Sequence, residues 1–311
     1  MESYILDTLI YSNLLTIIVI GFTLTYMIAK IPNFAHGTYA VVGGYVAFTI
    51  NKILGYNPYL ATPLAFLLVG LIASSQYYFV IRPMLRLKAS PLSLTITTIA
   101  MEIILTAGIG MYVEYISKTL GIYGVYPAAF ILKQADFDII GLPGIFVISS
   151  LLVITLIISL YIFLTKTKIG VTLRAIIEDD ELATVYGANV ERTNILSWFL
   201  IGGLAGMAGG LFPLYYQMTP LTGTYMIVSI FAGSILGGIT SIYTSVLGGY
   251  IVGLSETLGV IYLSKIFGPQ IVAYRLAIPL LILIFTLMFL PRGFSGLIDE
   301  YLEKRIVKKI S

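Results

Sequence analysis

The chain has 311 residues, 58% of them hydrophobic and only 11% charged, with a mean hydropathy of +0.97; soluble domains carry about 25% charged residues, so this is a polytopic membrane protein. The net charge of +3 is small and its basic residues are scattered over short loops, which does not suggest nucleic acid. With no cysteine and one histidine, disulfides, thiol catalysis, zinc–thiolate sites and multi-histidine metal sites are excluded.

A membrane-crossing helix needs about 20 apolar residues for a hydrocarbon layer of ~30 Å. Nine stretches fit: 8–29, 34–50, 58–81, 91–113, 144–164, 195–216, 224–239, 245–263 and 272–290. The fold class is therefore all-α, with about eight to ten transmembrane helices in one domain over residues 1–311. The first run follows acidic residues (Glu2, Asp7) and lacks a small-residue cleavage site, so it reads as a retained helix. The second and seventh are short and contain glycine, which predicts that one or both are broken or only part-spanning.

Lysine and arginine set the orientation. With the N-terminus outside, the inner segments hold 13 basic residues, including the tail Lys304, Arg305, Lys308 and Lys309. The outer segments hold four: Lys52, Lys118, Lys133 and Lys265. The C-terminus is then cytoplasmic. The long outer loop 114–143 carries Tyr115, Tyr123 and Tyr126 near its rims, as headgroup-level anchors or as a docking surface for an external protein.

In chain order, the first polar motif is Ile31-Pro32-Asn33-Phe34-Ala35-His36-Gly37. Pro32 ends one helix and Asn33 is expected to cap the next, with His36 in its first turn. Such a helix start can receive a carboxylate, or it can be a plain helix–loop–helix corner. Ionisable groups inside the spans are few: Glu102, Glu256 and Arg275. Each is costly in hydrocarbon and must face protein or water. Glu256 and Arg275, on adjacent spans, could touch a substrate or pair with each other. Alternatively Arg275 reaches the outer interface and Glu256 caps locally.

Between the fifth and sixth spans lies the most polar stretch, residues 165–194. Here Arg174, Glu178, Asp179, Asp180, Glu181 and Ala183 precede Gly187. Asp179 or Asp180 can cap one short helix whose first turn carries Glu181, with Gly187 just past its end. A hydrophobic protein that holds out a polar helix offers a grip to a soluble partner. Further on, Gly202, Gly206 and Gly210 form a stripe at spacing four. Gly233 with Gly237 and Gly249 with Gly253 repeat that spacing, so helices can approach closely there. Gly-Lys occurs nowhere, so the chain has no phosphate loop, and no H-E-x-x-H, G-x-S-x-G or paired-carboxylate cluster appears.

These motifs resemble those of the permease subunits of ABC importers for branched-chain amino acids, the LivH type, over nearly the whole length. The matching pieces are Asn33 to Gly37, Gly170 to Asn189, Leu204 to Gly209, Leu236 to Ile239, Gly248 to Glu256 and Pro291-Arg292-Gly293. The chain departs from the family at Thr240-Ser241-Ile242-Tyr243-Thr244, where members usually read G-S-I-P-G.

The resemblance implies a non-enzymatic subunit in the cell membrane, paired with a second permease as homo- or heterodimer. Two cytoplasmic ATPases would bind the ATP and press on the coupling residues Arg174, Glu178, Asp179, Asp180, Glu181, Ala183 and Gly187, and an external binding protein would deliver the amino acid. The chain itself needs no cofactor, and Asn33, Phe34, His36, Gly37, Glu102 and Glu256 are candidates for the translocation path. Relatives that carry urea or amides share most of these motifs, and an ion-coupled carrier is the rival from another class.

Overall fold

The computed structural model describes residues 2–121, 128–139 and 141–310. Tyr123, Tyr126 and the side chains of the basic tail at 304–309 lie outside the described residues. The helices are α1 (Glu2–Ala29), α2 (His36–Phe48), α3 (Ala61–Gln76), α4 (Arg82–Arg86), α5 (Pro91–Leu120), α6 (Gly144–Lys166), α7 (Lys168–Glu178), α8 (Asp180–Val185), α9 (Val190–Leu211), α10 (Thr222–Gly237), α11 (Ile242–Phe267), α12 (Ala277–Phe289) and α13 (Gly293–Ile310). One two-residue hairpin, Asp138–Ile139 with Leu142–Pro143, lies between α5 and α6. The chain is thus an all-α polytopic membrane protein.

Helix α1 is the centre of the bundle, flanked by α6, α9, α10 and α11. Four of its buried hydroxyls do not obstruct this, because Thr8, Ser12, Thr23 and Thr25 each donate to the carbonyl four residues earlier, while Thr16 Oγ1 has no partner among the described residues. At those four positions backbone and side chain are satisfied within the helix, as a membrane interior demands. Around α1, small residues set the spacing. A Cβ at Gly249 would lie 2.9 Å from the Thr16 Cα, and one at Gly253 would lie 2.8 Å from the Ser12 Cα. Helix α9 packs in the same way on α3: Cβ atoms at Gly202 and Gly206 would lie 2.7 Å from the carbonyls of Val69 and Ala65. Gly237 faces Thr244 and Ser245 of α11, and Gly233 faces Val19 and Gly249.

Among the described residues, seven helices are long and apolar enough to cross a membrane. The two expected runs that are missing from that set are α2 and α10, the short glycine-containing ones. Their starts meet at the middle of α1: a Cβ at Gly223 would lie 2.6 Å from the Gly37 carbonyl carbon, and His36 reaches the Ile18 carbonyl. From there α2 runs toward the end of the molecule where Phe48 packs on Phe130, while α10 runs the other way, where Gly238 meets Ser295. Two expectations change. Helix α5 extends past residue 113 to Leu120, and the last crossing helix begins at Ala277. Arg275 therefore lies before that helix, just past a 3-10 segment, Pro269–Tyr274, that folds back beside α11.

Candidate functional site

The polar stretch between α6 and α9 is a helix, a break and a second helix, where the sequence suggested one. Thr167 starts it: its hydroxyl accepts the Gly170 N–H at 3.0 Å and donates to the Phe163 carbonyl at 2.6 Å. Gly170 has no room for a side chain, since its Cβ would lie 2.7 Å from the Leu164 Cα, so α7 folds tightly back on α6. Asp179 adopts an extended backbone and breaks the run between Glu178 and Asp180. Its Oδ1 accepts the Leu182 N–H at 2.8 Å, which caps α8, and Asp180 and Glu181 occupy the first turn. Gly187, at φ +87°, ends the motif in the left-handed region that glycine enters freely.

This hook is anchored underneath and open above. Leu173, Ile176 and Ala183 point into the protein. The Lys30 ammonium donates to the Ile177 carbonyl at 3.1 Å, a cation at the C-terminal end of α7. Glu191 in the first turn of α9 pairs with Arg82 at 2.6 Å and Arg86 at 3.0 Å. On the open side Leu182, Val185 and Tyr186 are exposed, the last two by 81% and 83%. Arg174, Glu178 and Glu181 are exposed with them. A groove of about 430 Å³ runs between α7 and α8 beside Ala175, Leu182 and Tyr186. Apolar knobs ringed by charge, on a braced corner, suit a protein partner.

At mid-depth the structure gathers most of the residues expected along a path. Asn33 is buried but does not cap α2; its Oδ1 accepts the Ala35 N–H at 3.1 Å and its carbonyl accepts the His36 N–H at 3.2 Å. It closes the turn that precedes the helix, and α2 starts without a side-chain cap. The Phe34 N–H donates to Thr98 on α5 at 3.2 Å, and the Phe34 ring packs on Phe231 at 5.4 Å. His36 Nε2 lies 2.9 Å from the Ile18 carbonyl and so carries the proton there, since a carbonyl only accepts. Its buried Nδ1 has no hydrogen-bond partner among the described residues. Glu102, half-buried on α5, accepts from Thr224 at 2.6 Å and from Thr106 at 3.3 Å.

Glu256 belongs to a separate site, farther from the hook. Its carboxylate is 2% exposed and accepts the Arg275 Nε at 2.5 Å. The Tyr11 hydroxyl lies 3.0 Å from both carboxylate oxygens, and the guanidinium sits 4.3 Å from the Tyr11 ring centre. Of the two arrangements open at the sequence level, Arg275 pairs with Glu256 rather than reaching away from it. Tyr216 packs on Tyr11 at 5.5 Å and donates to the Asp7 carbonyl at 2.5 Å. Sequence reasoning missed Tyr11 and Tyr216. Both belong to a set of 23 tyrosines in which nothing local marks them. Also missed was Asn13, which donates to Ser150 at 2.9 Å and Ser149 at 3.1 Å and accepts from Tyr250 at 2.5 Å.

A family model described as "Branched-chain amino acid transport system / permease component" matches residues 4–287. The chain is 44% identical to the probable branched-chain amino acid transport permease protein LivH of Methanocaldococcus jannaschii, over 98% of this chain and 96% of that one. It is 26% identical to the high-affinity branched-chain amino acid transport system permease protein BraD of Pseudomonas aeruginosa, over 90% and 91%. To the LivH protein of Escherichia coli K12 it is 27% identical, over 90% of each. A solved structure titled PsaBC from Streptococcus pneumoniae in complex with Fab aligns over 95% of both chains with a TM-score of 0.52. At 11% identity that likeness concerns the fold alone.

Proposed function

The chain belongs to the branched-chain amino acid transport permease family, and from that premise we propose that it forms half of the membrane passage of an ABC importer for leucine, isoleucine and valine. A second permease forms the other half. Two separate ATPases dock on the hook of α7 and α8, and an external binding protein delivers the amino acid. The observation that carries this reading is the hook: exposed Leu182, Val185 and Tyr186 on a corner braced by Lys30 and Glu191. When ATP draws the ATPases together, a push on the hook passes through the tight turn at Gly170 into α6 and directly into the start of α9, which Glu191 ties to Arg82 and Arg86 on α4. Because α9 meets α2 and α3 through glycine and alanine, those helices can shift against one another without large side chains catching.

In this reading the chain binds no ATP itself; the hook offers its partner no glycine-rich phosphate loop. Vesicles that contain both permeases and both ATPases should accumulate leucine when supplied with binding protein and ATP, and Tyr186→Asp should abolish that uptake by placing a charge in the apolar contact. Accumulation by this chain alone on a proton or sodium gradient would overturn the proposal in favour of an ion-coupled carrier.

A further inference from the structure

The pair of Glu256 and Arg275 does not fill the space around it. Both line a cavity of about 570 Å³ together with Tyr11, Phe212, Tyr216 and Met226, within the ~300–1,000 Å³ usual for small-molecule sites. The cavity reaches from the level of Asp7 inward to Thr222 at the start of α10, on the half of the molecule away from the hook. Among the described residues Arg275 hydrogen-bonds only through Nε. Its Nη2 is buried without a partner among the described residues, its side chain is 32% exposed, and the residue lines the cavity. Glu256 Oε1 already accepts from both Arg275 and Tyr11, whereas Oε2 accepts from Tyr11 alone and keeps lone-pair capacity. Each half of the ion pair thus has one bond to give to something else.

We propose that this cavity is a binding site for an α-amino acid zwitterion with an apolar side chain. The amino acid's carboxylate accepts from the Arg275 guanidinium, its ammonium donates to Glu256, and its side chain lies on Phe212, Tyr216 and Met226. Charge balance favours this ligand over simpler ones. Glu256 and Arg275 cancel each other, so a lone anion or cation would leave a net charge at membrane depth, whereas a zwitterion leaves none. The inference deepens the permease reading and rests on it, by assigning residues of this chain to the transported molecule.

The chain has no cysteine, so a single Gln217→Cys at the exposed rim of the cavity, followed on this chain, reports on occupancy without background from its other residues. In membranes that carry the full complex, its reaction with a methanethiosulfonate reagent is timed with leucine, leucinamide or 4-methylpentanoate. Leucine at twice its Kd should slow the reaction about threefold, by single-site occupancy. Leucinamide, without the carboxylate, and 4-methylpentanoate, without the ammonium, should protect far less. The neutral double variant Glu256→Gln with Arg275→Gln should lose the protection by leucine. Absence of protection by leucine, equal protection by all three compounds, or protection that survives the double variant each overturns the site. The three-compound comparison needs no change to the pair, so it decides even where the double variant fails to assemble. ATP-driven leucine uptake by the same complex tests the permease reading separately.

Discussion

At Gly206 the closeness of α9 to α3 is set by a main-chain carbonyl and a stiff β-branched side chain. A Cβ there would lie 2.6 Å from the Val69 Cγ2 and 2.7 Å from the Ala65 carbonyl oxygen, neither of which can turn aside like the tip of a long side chain. Gly210, one turn on in the same stripe, would place its Cβ 3.5 Å from the Ala65 Cβ, an ordinary contact. The two positions look alike in sequence and should behave oppositely. Gly206→Ala should cost about 1–3 kcal/mol by overpacking. Gly210→Ala should be neutral or stabilise by about 0.5–1 kcal/mol, as alanine does in a helix. Thermal unfolding in detergent reads both, and equal behaviour would show that the stripe is not pressed on α3. The spacing of four was legible because small residues at one helical face have one common use in lipid. Which glycine bears the contact was not, since that depends on where Val69 and Ala65 fall on another helix. Tyr11 and Arg275 show the same limit: 264 positions separate them, and only the fold brings the Tyr11 ring beneath the guanidinium.

Helix α8 has six residues and inserts little but Ala183 into the protein, so its persistence depends on its ends. Asp179 supplies one end through the Leu182 N–H and Gly187 the other through its left-handed backbone. Removal of an aspartate cap costs about 1 kcal/mol. For a helix this short the cost is local: Asp179→Ala should speed amide exchange in α8 about fivefold, the factor that 1 kcal/mol represents. Exchange in α7, held by Leu173, Ile176 and Lys30, should stay unchanged, and Asp179→Ser should restore the protection. Loss of protection in α7 as well would mean that the hook melts as one unit. That a polar helix begins near Asp179 and stops at Gly187 was legible, because capping is local chemistry. That α7 ends at Glu178 was not, since four successive acids give no sign of which one leaves the helix. The shortness of α2 and α10 was legible from apolar length alone, but their meeting at Gly37 and Gly223 was not.

For the whole molecule, orientation decides whether the hook can meet an ATPase. The structure collects at one end the basic residues that the sequence assigns to inner segments. Lys30 bonds to α7, Arg82 and Arg86 bond to the start of α9, and Lys166 and Lys168 flank the corner into the hook. At the other end Lys133 sits over the Tyr215 ring and Lys265 over Tyr4 and Tyr262. Excess lysine and arginine near helix ends marks the cytoplasmic side, so the hook should face the cell interior and the mouth of the Glu256 cavity the exterior. Single cysteines test this directly in a chain that has none. Tyr56→Cys, in the exposed turn after α2, should react with an impermeant maleimide in intact cells. Tyr186→Cys should react only in inside-out vesicles or after permeabilisation. The reversed pattern would leave the hook where no ATP is made and turn the cavity toward the cytoplasm, so the proposals for hook and cavity would fail together. Agreement would put the ion pair and the hook on opposite sides of the barrier, as an importer requires when its cargo arrives from outside and its drive from within.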